Sequence, residues 1–490
     1  MVPDLPLDLW LQIVQLIPEG ELDRLLSLNS LFFHTVMKNR YRRVRISNSP
    51  KEAKRNMALL RRLSYVTKFF RLGAIYNFNA LTSDPFVGGF VESLSLHFEF
   101  LSSPARPSSP NLSLMERVNV AISRVVRRHL TGSPTSPNSD RVSLDDVKIV
   151  FPRLPNVTEF AVYLYGTPGY IDCAPFFSSA WGSFGTKLCK CSLGGDLDSI
   201  RRILVTKPDF QSLEELSMEF VQHPDESAVQ GLSVVQDVIP VLNALAPRLQ
   251  FFRLWCWTKF NLSSFLKQLG PFPTLVCLSL RGHFDNAFQN DGSGIPGFLS
   301  QMPKLRHLEL RLNPQRAGLD PSAEQPLAQS LAECTSDQRL FRNLTSLQLY
   351  PTNRPEGIDI LLNGIQRSPQ SLTALAIRDR YLHFEEIARV IVALKECTQL
   401  LYLRMNVRTL NVDIFDMLSS SLPHLRQLYL YLTDGFGSSE NMASPDYKNL
   451  THELINDSGS APSGASGATL WSLATKGYRA LARRILCRSR

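Results

Sequence analysis

Residues 372–405, LTALAIRDRYLHFEEIARVIVALKECTQLLYLRM, decide the fold. Leu372, Leu375 and Ile377 open the stretch, and Leu400, Leu403 and Met405 close it. Both ends therefore carry L-x-x-L-x-L, where L is any aliphatic or aromatic residue. Side chains alternate along a strand, so the second and third apolar residues face a core and their neighbours face out. Between the two copies, IARVIVALKEC has the apolar spacing of a helix. The stretch reads strand, helix, strand.

The same hexamer recurs outward from this point. Clear copies start at residues 213, 249, 275, 305, 344, 372, 400 and 425, at intervals of 36, 26, 30, 39, 28, 28 and 25. Weaker copies are Val91-Leu94-Leu96, Val157-Phe160-Val162 and Leu188-Cys191-Leu193. One hexamer means little, but eight at quasi-regular intervals mark a repeat architecture. Helical segments such as VIPVLNAL, LSSFLKQL, IPGFLSQM, LAQSLAEC, IDILLNGI and IFDMLSSSL precede the strands, and Pro247, Pro271, Pro303, Pro369 and Pro423 stop several of them. One strand and one helix per repeat resembles a leucine-rich-repeat solenoid of the irregular type, in which parallel strands carry helices on the convex side. The asparagine position of standard repeats is not regular here.

Composition bounds the alternatives. The chain has 490 residues, 44% hydrophobic and 20% charged, so it can bury a large core and is not disordered throughout. With 26 Gly, 31 Pro and 8 Cys it is neither collagen-like nor a disulfide scaffold. No apolar run has the length of a membrane-spanning helix. MVPDLPLDLW places Asp4 and Asp8 where a secretory signal carries basic residues, so the expected compartment is reducing, cytoplasmic and/or nuclear, with free and mostly buried cysteines. The net charge of +9 sits at the ends: residues 1–72 carry +7 and residues 470–490 carry +6, leaving about −4 between them. A basic balance of that kind does not make the body a nucleic-acid binder.

The first 45 residues read as a small helical unit. Leu9, Ile13 and Leu16 share one helix face; Pro18 and Gly20 break that helix; Leu22, Leu25, Leu28 and Leu31 follow. LPLDLWLQIVQLIPEGELDRLLSLNSLFFHTVMKNRYRRV resembles an F-box, from its opening Leu5-Pro6 to the Ile13–Pro18 step and the Leu-rich helices. It departs from the family pattern in its acid, displaced to Asp8, and in Leu28–Phe33, where the family has a Val-Cys-Arg-x-Trp stretch. Paired with the repeats, it is similar to fungal F-box/leucine-rich-repeat proteins. That resemblance implies that Leu5, Pro6, Leu9, Ile13, Leu16, Leu22, Leu25 and Leu28 bury against a Skp-family adaptor, which joins cullin and RING subunits. The fold class expected is α/β: a small all-α F-box, then the solenoid.

The outward strand residues form the second candidate surface, for an unknown protein substrate. They are Phe251, Arg253 and Trp255, then His307 and Arg311, then Tyr350, Arg378, Tyr402, Arg404, Tyr429 and Tyr431, with Arg281, Glu309 and Gln348 among them. Arg, Tyr and Trp are types that dominate interface energetics. No catalytic, cofactor or metal constellation stands out: the nine histidines are dispersed, and there is no phosphate loop. The chain is therefore expected to be a non-enzymatic receptor, with no cofactor and no nucleic-acid partner. The expected divisions are an F-box at 1–45, a helical linker at 46–90, repeats at 91–432 with a Ser/Pro-rich insertion at 101–140, a C-terminal segment with a Ser/Gly linker at 433–469, and a basic amphipathic tail at 470–490 that could touch a membrane surface.

Overall fold

A computed structural model describes residues 7–22, 25, 30–47, 55–56, 87–99, 144–165, 173–206, 208–221, 231–315, 321–409 and 411–432. The insertion at 101–140, the segment at 433–469 and the tail at 470–490 lie outside the described residues. The chain forms two compact units, Met1–Thr258 and Lys259–Arg490.

The first unit opens with three helices, α1 (Leu7–Leu16), α2 (Glu19–Leu22) and α3 (Ser30–Tyr41). It continues through β1 (Arg43–Ser47), β2 (Ser93–Glu99), α4 (Leu144–Lys148), β3 (Glu159–Tyr165), α5 (Ala174–Phe184), β4 (Lys190–Gly195), α6 (Leu197–Val205), β5 (Glu215–Phe220), α7 (Gly231–Leu245) and β6 (Phe251–Cys256). Each strand pairs in parallel with the next, from β1 to β6.

The second unit repeats the plan: β7 (Cys277–Gly282), α9 (Phe284–Ala287) and α10 (Gly294–Leu299) after α8 (Leu262–Gln268), then β8 (His307–Arg311), α11 (Gln325–Ser336), β9 (Ser346–Leu349), α12 (Glu356–Gln366), β10 (Ala374–Leu382), α13 (Phe384–Leu394), β11 (Tyr402–Val407), α14 (Val412–Ser421) and β12 (Gln427–Leu432). Here too the strands pair in parallel and in chain order. Parallel strands joined through helices, ordered as in the sequence, are leucine-rich repeats.

The hexamer explains the packing. In β3, Phe160, Val162 and Leu164 are buried while Glu159, Ala161, Tyr163 and Tyr165 are half-exposed. The first apolar residue of most hexamers lies just before its strand and is buried as well, as with Leu213, Leu249, Leu275 and Leu344, while Leu305 and Leu425 are half-buried. Strand entry has its own device: one carbonyl accepts from two successive N–H groups of the next repeat. Glu214 O takes Gln250 N at 2.8 Å and Phe251 N at 3.0 Å; Thr373 O takes Leu401 N at 2.8 Å and Tyr402 N at 3.0 Å. Backbone, rather than a regular asparagine ladder, thus ties neighbouring repeats together. After the strands, Asp196, Asn261 and Asn411 cap α6, α8 and α14 by accepting Ser199 N, Ser264 N and Ile414 N at 2.8, 2.9 and 3.1 Å. Phenylalanine fills the first unit's core: Phe160 meets Trp181 edge to face at 5.7 Å, and Phe151 meets Phe176 at 4.9 Å.

One boundary differs from the sequence expectation. The first strand is β1 at Arg43–Ser47, so the parallel ladder begins inside the 1–45 segment rather than at residue 91. Tyr41, Val44 and Ile46 have the hexamer spacing and are all buried. The arginines between them, Arg42, Arg43 and Arg45, mask the apolar spacing in the sequence. The only described part of the expected linker at 46–90 comprises residues 46–47, 55–56 and 87–90.

Candidate docking surfaces

The N-terminal helices divide their apolar residues between a core and a surface. Val14, Leu22, Phe32 and Val36 form the core, and Trp10, Ile13, Ile17 and Leu25 pack against it half-buried. Trp10 and Phe32 meet edge to face at 5.6 Å. Leu9 and Leu16 are left outside, 43% and 83% exposed. They are seven residues apart, two turns of α1, and therefore share a face. Of the expected adaptor contacts, Leu22 is corrected to a core residue at 4% exposure, because three short helices need an interior of their own. Leu5, Pro6 and Leu28 lie outside the described residues.

On the second unit's strands, parallel register sets outward residues side by side. Cys277, His307, Ser346, Ala374, Tyr402 and Gln427 form one row. Ser279, Glu309, Gln348, Ala376, Arg404 and Tyr429 form the next. Arg281 grips Glu309 through Nε and a terminal nitrogen at 2.9 and 3.0 Å, and Ser279 Oγ donates to the same carboxylate at 2.7 Å. Arg311 forks onto Asp379 at 2.7 and 3.1 Å. Arg378 donates to Gln348 Oε1 at 2.8 Å, and Arg404 lies 4.0 Å above the ring of Tyr431. Tyr402 and Tyr429 stack obliquely at 5.3 Å. The structure thus gathers Arg311, Arg378, Tyr402, Arg404, Tyr429 and Tyr431 on one half-buried face, with exposed His307 at its edge.

Tyr350 does not join them. It is 1% exposed, and its hydroxyl donates to Glu324 Oε1 at 2.8 Å. Strand β9 ends one residue earlier, at Leu349, and the chain turns inward. Asn353 completes the knot, donating to Tyr350 Oη at 2.9 Å and to Glu324 Oε1 at 3.0 Å. Because β9 stops short, Arg311 of β8 reaches Asp379 of β10 past its end. Asp379 sits at φ 57°, in the register break of β10 between Ala376 and Tyr381.

The first unit carries a second outward cluster that the sequence reading passed over. His97 and Tyr163 stack at 4.6 Å, and Tyr163 lies 5.9 Å from Tyr165. Tyr165 Oη donates to Glu219 Oε2 at 3.3 Å. Burial and the Glu219 charge both push the Tyr163 hydroxyl above its usual range. Gly194 makes room for this: a Cβ there would stand 2.4 Å from the Tyr163 ring. The outward positions of the weaker hexamers were the signal available. Of the three expected residues of this unit, Arg253 is exposed, and Phe251 and Trp255 are half-buried.

Among the described residues, no three His, Cys, Asp or Glu are grouped to hold a metal ion. Burial pushes the Cys397 thiol up to about 11, away from thiolate chemistry. A shallow recess of about 380 Å³ lies among Val276, Lys304, Arg306, His307, Asn343 and Thr345. Burial and the charge of Arg306 lower the His307 imidazole below its usual value.

No family model matches the chain, and no curated protein matches it in sequence. Solved structures do resemble it. The leucine-rich-repeat-containing protein LegL7 from Legionella pneumophila has 18% identity and a TM-score of 0.38, over 66% of this chain and 96% of that one. The complex of Rad7 and Elc1 in yeast gives 16% identity and a TM-score of 0.33, over 61% and 76%. The TLR13–ssRNA13 complex gives 14% and 0.27, over 58% of this chain and 33% of that one.

Proposed function

We propose that this chain is a non-catalytic substrate receptor of a Skp–cullin–F-box ubiquitin ligase, acting in the cytoplasm or nucleus. The N-terminal helices bind a Skp-family adaptor, which brings the cullin and RING subunits, and the strand face docks the protein target. The observation that supports it most is the exposure of Leu9 and Leu16 on a helical unit whose core is already filled. Leucines that are surplus to a core, in a sequence resembling an F-box, suit a hydrophobic partner groove. Ligation would then be catalysed elsewhere, with this chain contributing proximity.

The second reading is a leucine-rich-repeat interaction scaffold outside any ligase; the well-formed strand face favours it equally. Binding of the full chain to a purified Skp-family adaptor separates the two. The receptor reading expects stable binding that Leu9→Asp with Leu16→Asp abolishes without altering the circular dichroism spectrum. A folded full chain that does not bind leaves the scaffold reading.

A further inference from the structure

The charged groups on the second unit's strand face do not balance. Arg281 is matched by Glu309 and Arg311 by Asp379, each through two hydrogen bonds. Arg378 and Arg404 remain. Among the described residues, Arg378 has only the amide oxygen of Gln348 and Arg404 only the ring of Tyr431. The Nε atom of each is buried and meets no acceptor among the described residues. The flanking strands bring them no carboxylate: β9 offers Ser346 and Gln348, and β12 offers Gln427, Tyr429 and Tyr431. Glu309 attracts Arg378 from a distance, but Arg281 and Ser279 already hold it. Burial and the neighbouring Arg404 both lower the pKa of Arg378, as expected of two cations crowded on a half-buried surface.

We infer that Arg378 and Arg404 form an anion subsite that takes the Asp or Glu carboxylates of an extended acidic segment in a partner protein. The inference rests on reading the strand face as a protein-docking surface. Guanidinium forks match carboxylate geometry and gain most where water is already excluded. Tyr402, Tyr429 and Tyr431 flank the pair with apolar ring surface, which suits side chains on either side of an acid. Two uncompensated charges are few for a nucleic acid, whose binding to protein commonly engages six or more phosphates. They suffice to orient a short peptide.

The test uses the full chain and a fluorescein-labelled peptide of about eight glutamates, followed by anisotropy near physiological salt. We expect saturable binding, no binding of an equally long lysine peptide, and a loss of about tenfold or more in affinity for Arg378→Gln with Arg404→Gln. Lys304→Gln with Arg306→Gln, on the exposed edge of the same unit, should change affinity less than about twofold. Equal affinity in the Arg378/Arg404 variant, an equal loss in the control, or tighter binding of an oligonucleotide of the same charge would overturn the assignment. Should the double variant misfold, phenylglyoxal labelling of the unmodified protein decides: the glutamate peptide must protect Arg378 and Arg404 while Arg408 and Arg426 still react. Adaptor binding measured on the same preparation is independent, so loss of the ligase reading and loss of this subsite are told apart.

Discussion

Tyr350 and Tyr431 each follow the last apolar residue of their hexamers, yet one is sealed inside and the other half-exposed. The difference is where the strand ends. Tyr431 lies within a six-residue strand, whereas Tyr350 follows a four-residue one and falls toward Glu324. No spacing in the sequence announces that Glu324, itself 1% exposed, is waiting there. Tyr350→Phe keeps the ring and removes a donor from a buried carboxylate. We expect a loss of about 1–3 kcal/mol, the usual cost of leaving such a group underbonded. Urea unfolding measures it, and an unchanged midpoint would mean that Asn353 alone satisfies Glu324. Glu386 gives a pH-dependent counterpart. Burial alone would raise its pKa, but the N–H of His383, at 3.0 Å, and the guanidinium of Arg380, at 2.5 Å, hold it below the ordinary value of 4.5. A depressed carboxylate contributes stability that is complete above the unfolded value and is lost as pH falls through the lower, folded one. Glu386→Gln should therefore be less stable than the unmodified chain near pH 7, with the gap closing below about pH 4.5. A gap that stays constant from about pH 7 to 3 would assign the effect to packing instead.

At the scale of elements, helix α10 separates two glycines that look alike in sequence. Gly294 opens it and gives its N–H to Ser263 Oγ at 2.7 Å; a Cβ there would stand 2.4 Å from the Ser263 carbonyl oxygen. Gly297, one turn on, is exposed and has open space where a Cβ would go. Gly294→Ala must push α10 off α8 and should cost about 1–3 kcal/mol, as overpacking does. Gly297→Ala replaces a poor helix former with the best one and should gain about 0.5–1 kcal/mol. Opposite shifts in the melting temperature are the expected result; equal shifts would show that propensity, not the close approach of two helices, governs both sites. Element positions were legible where hexamer and helical spacing coincide, as in IARVIVALKEC and α13. They were not legible at β1, where Tyr41, Val44 and Ile46 carry the hexamer but three arginines hide it. Local spacing reports which residues go inside. It is silent on which backbone comes within 3 Å of another, and that is what Gly294 answers.

For the whole molecule, the repeat was readable because the same physical problem is solved eight times over, so chance errors in any one copy do not matter. The outward faces were only half readable. Alternation places Arg311, Arg378 and Arg404 on one surface, but which of them find a carboxylate depends on a strand that stops early and a bulge in its neighbour. The same architecture makes a claim about unfolding. Within the second unit the main contacts of each strand and helix are with the preceding and following ones, as in any array of repeats. Stability in such an array is close to a sum of local and nearest-neighbour contributions. Leu403 is fully buried in β11, and Leu403→Ala leaves a cavity worth about 2–5 kcal/mol. Hydrogen exchange followed by mass spectrometry should then show protection lost in β10, β11 and β12 while β7 and β8 keep theirs. Protection falling evenly from β7 to β12 would mean that the unit opens as one cooperative body, its repeats coupled more tightly than their contacts with immediate neighbours provide.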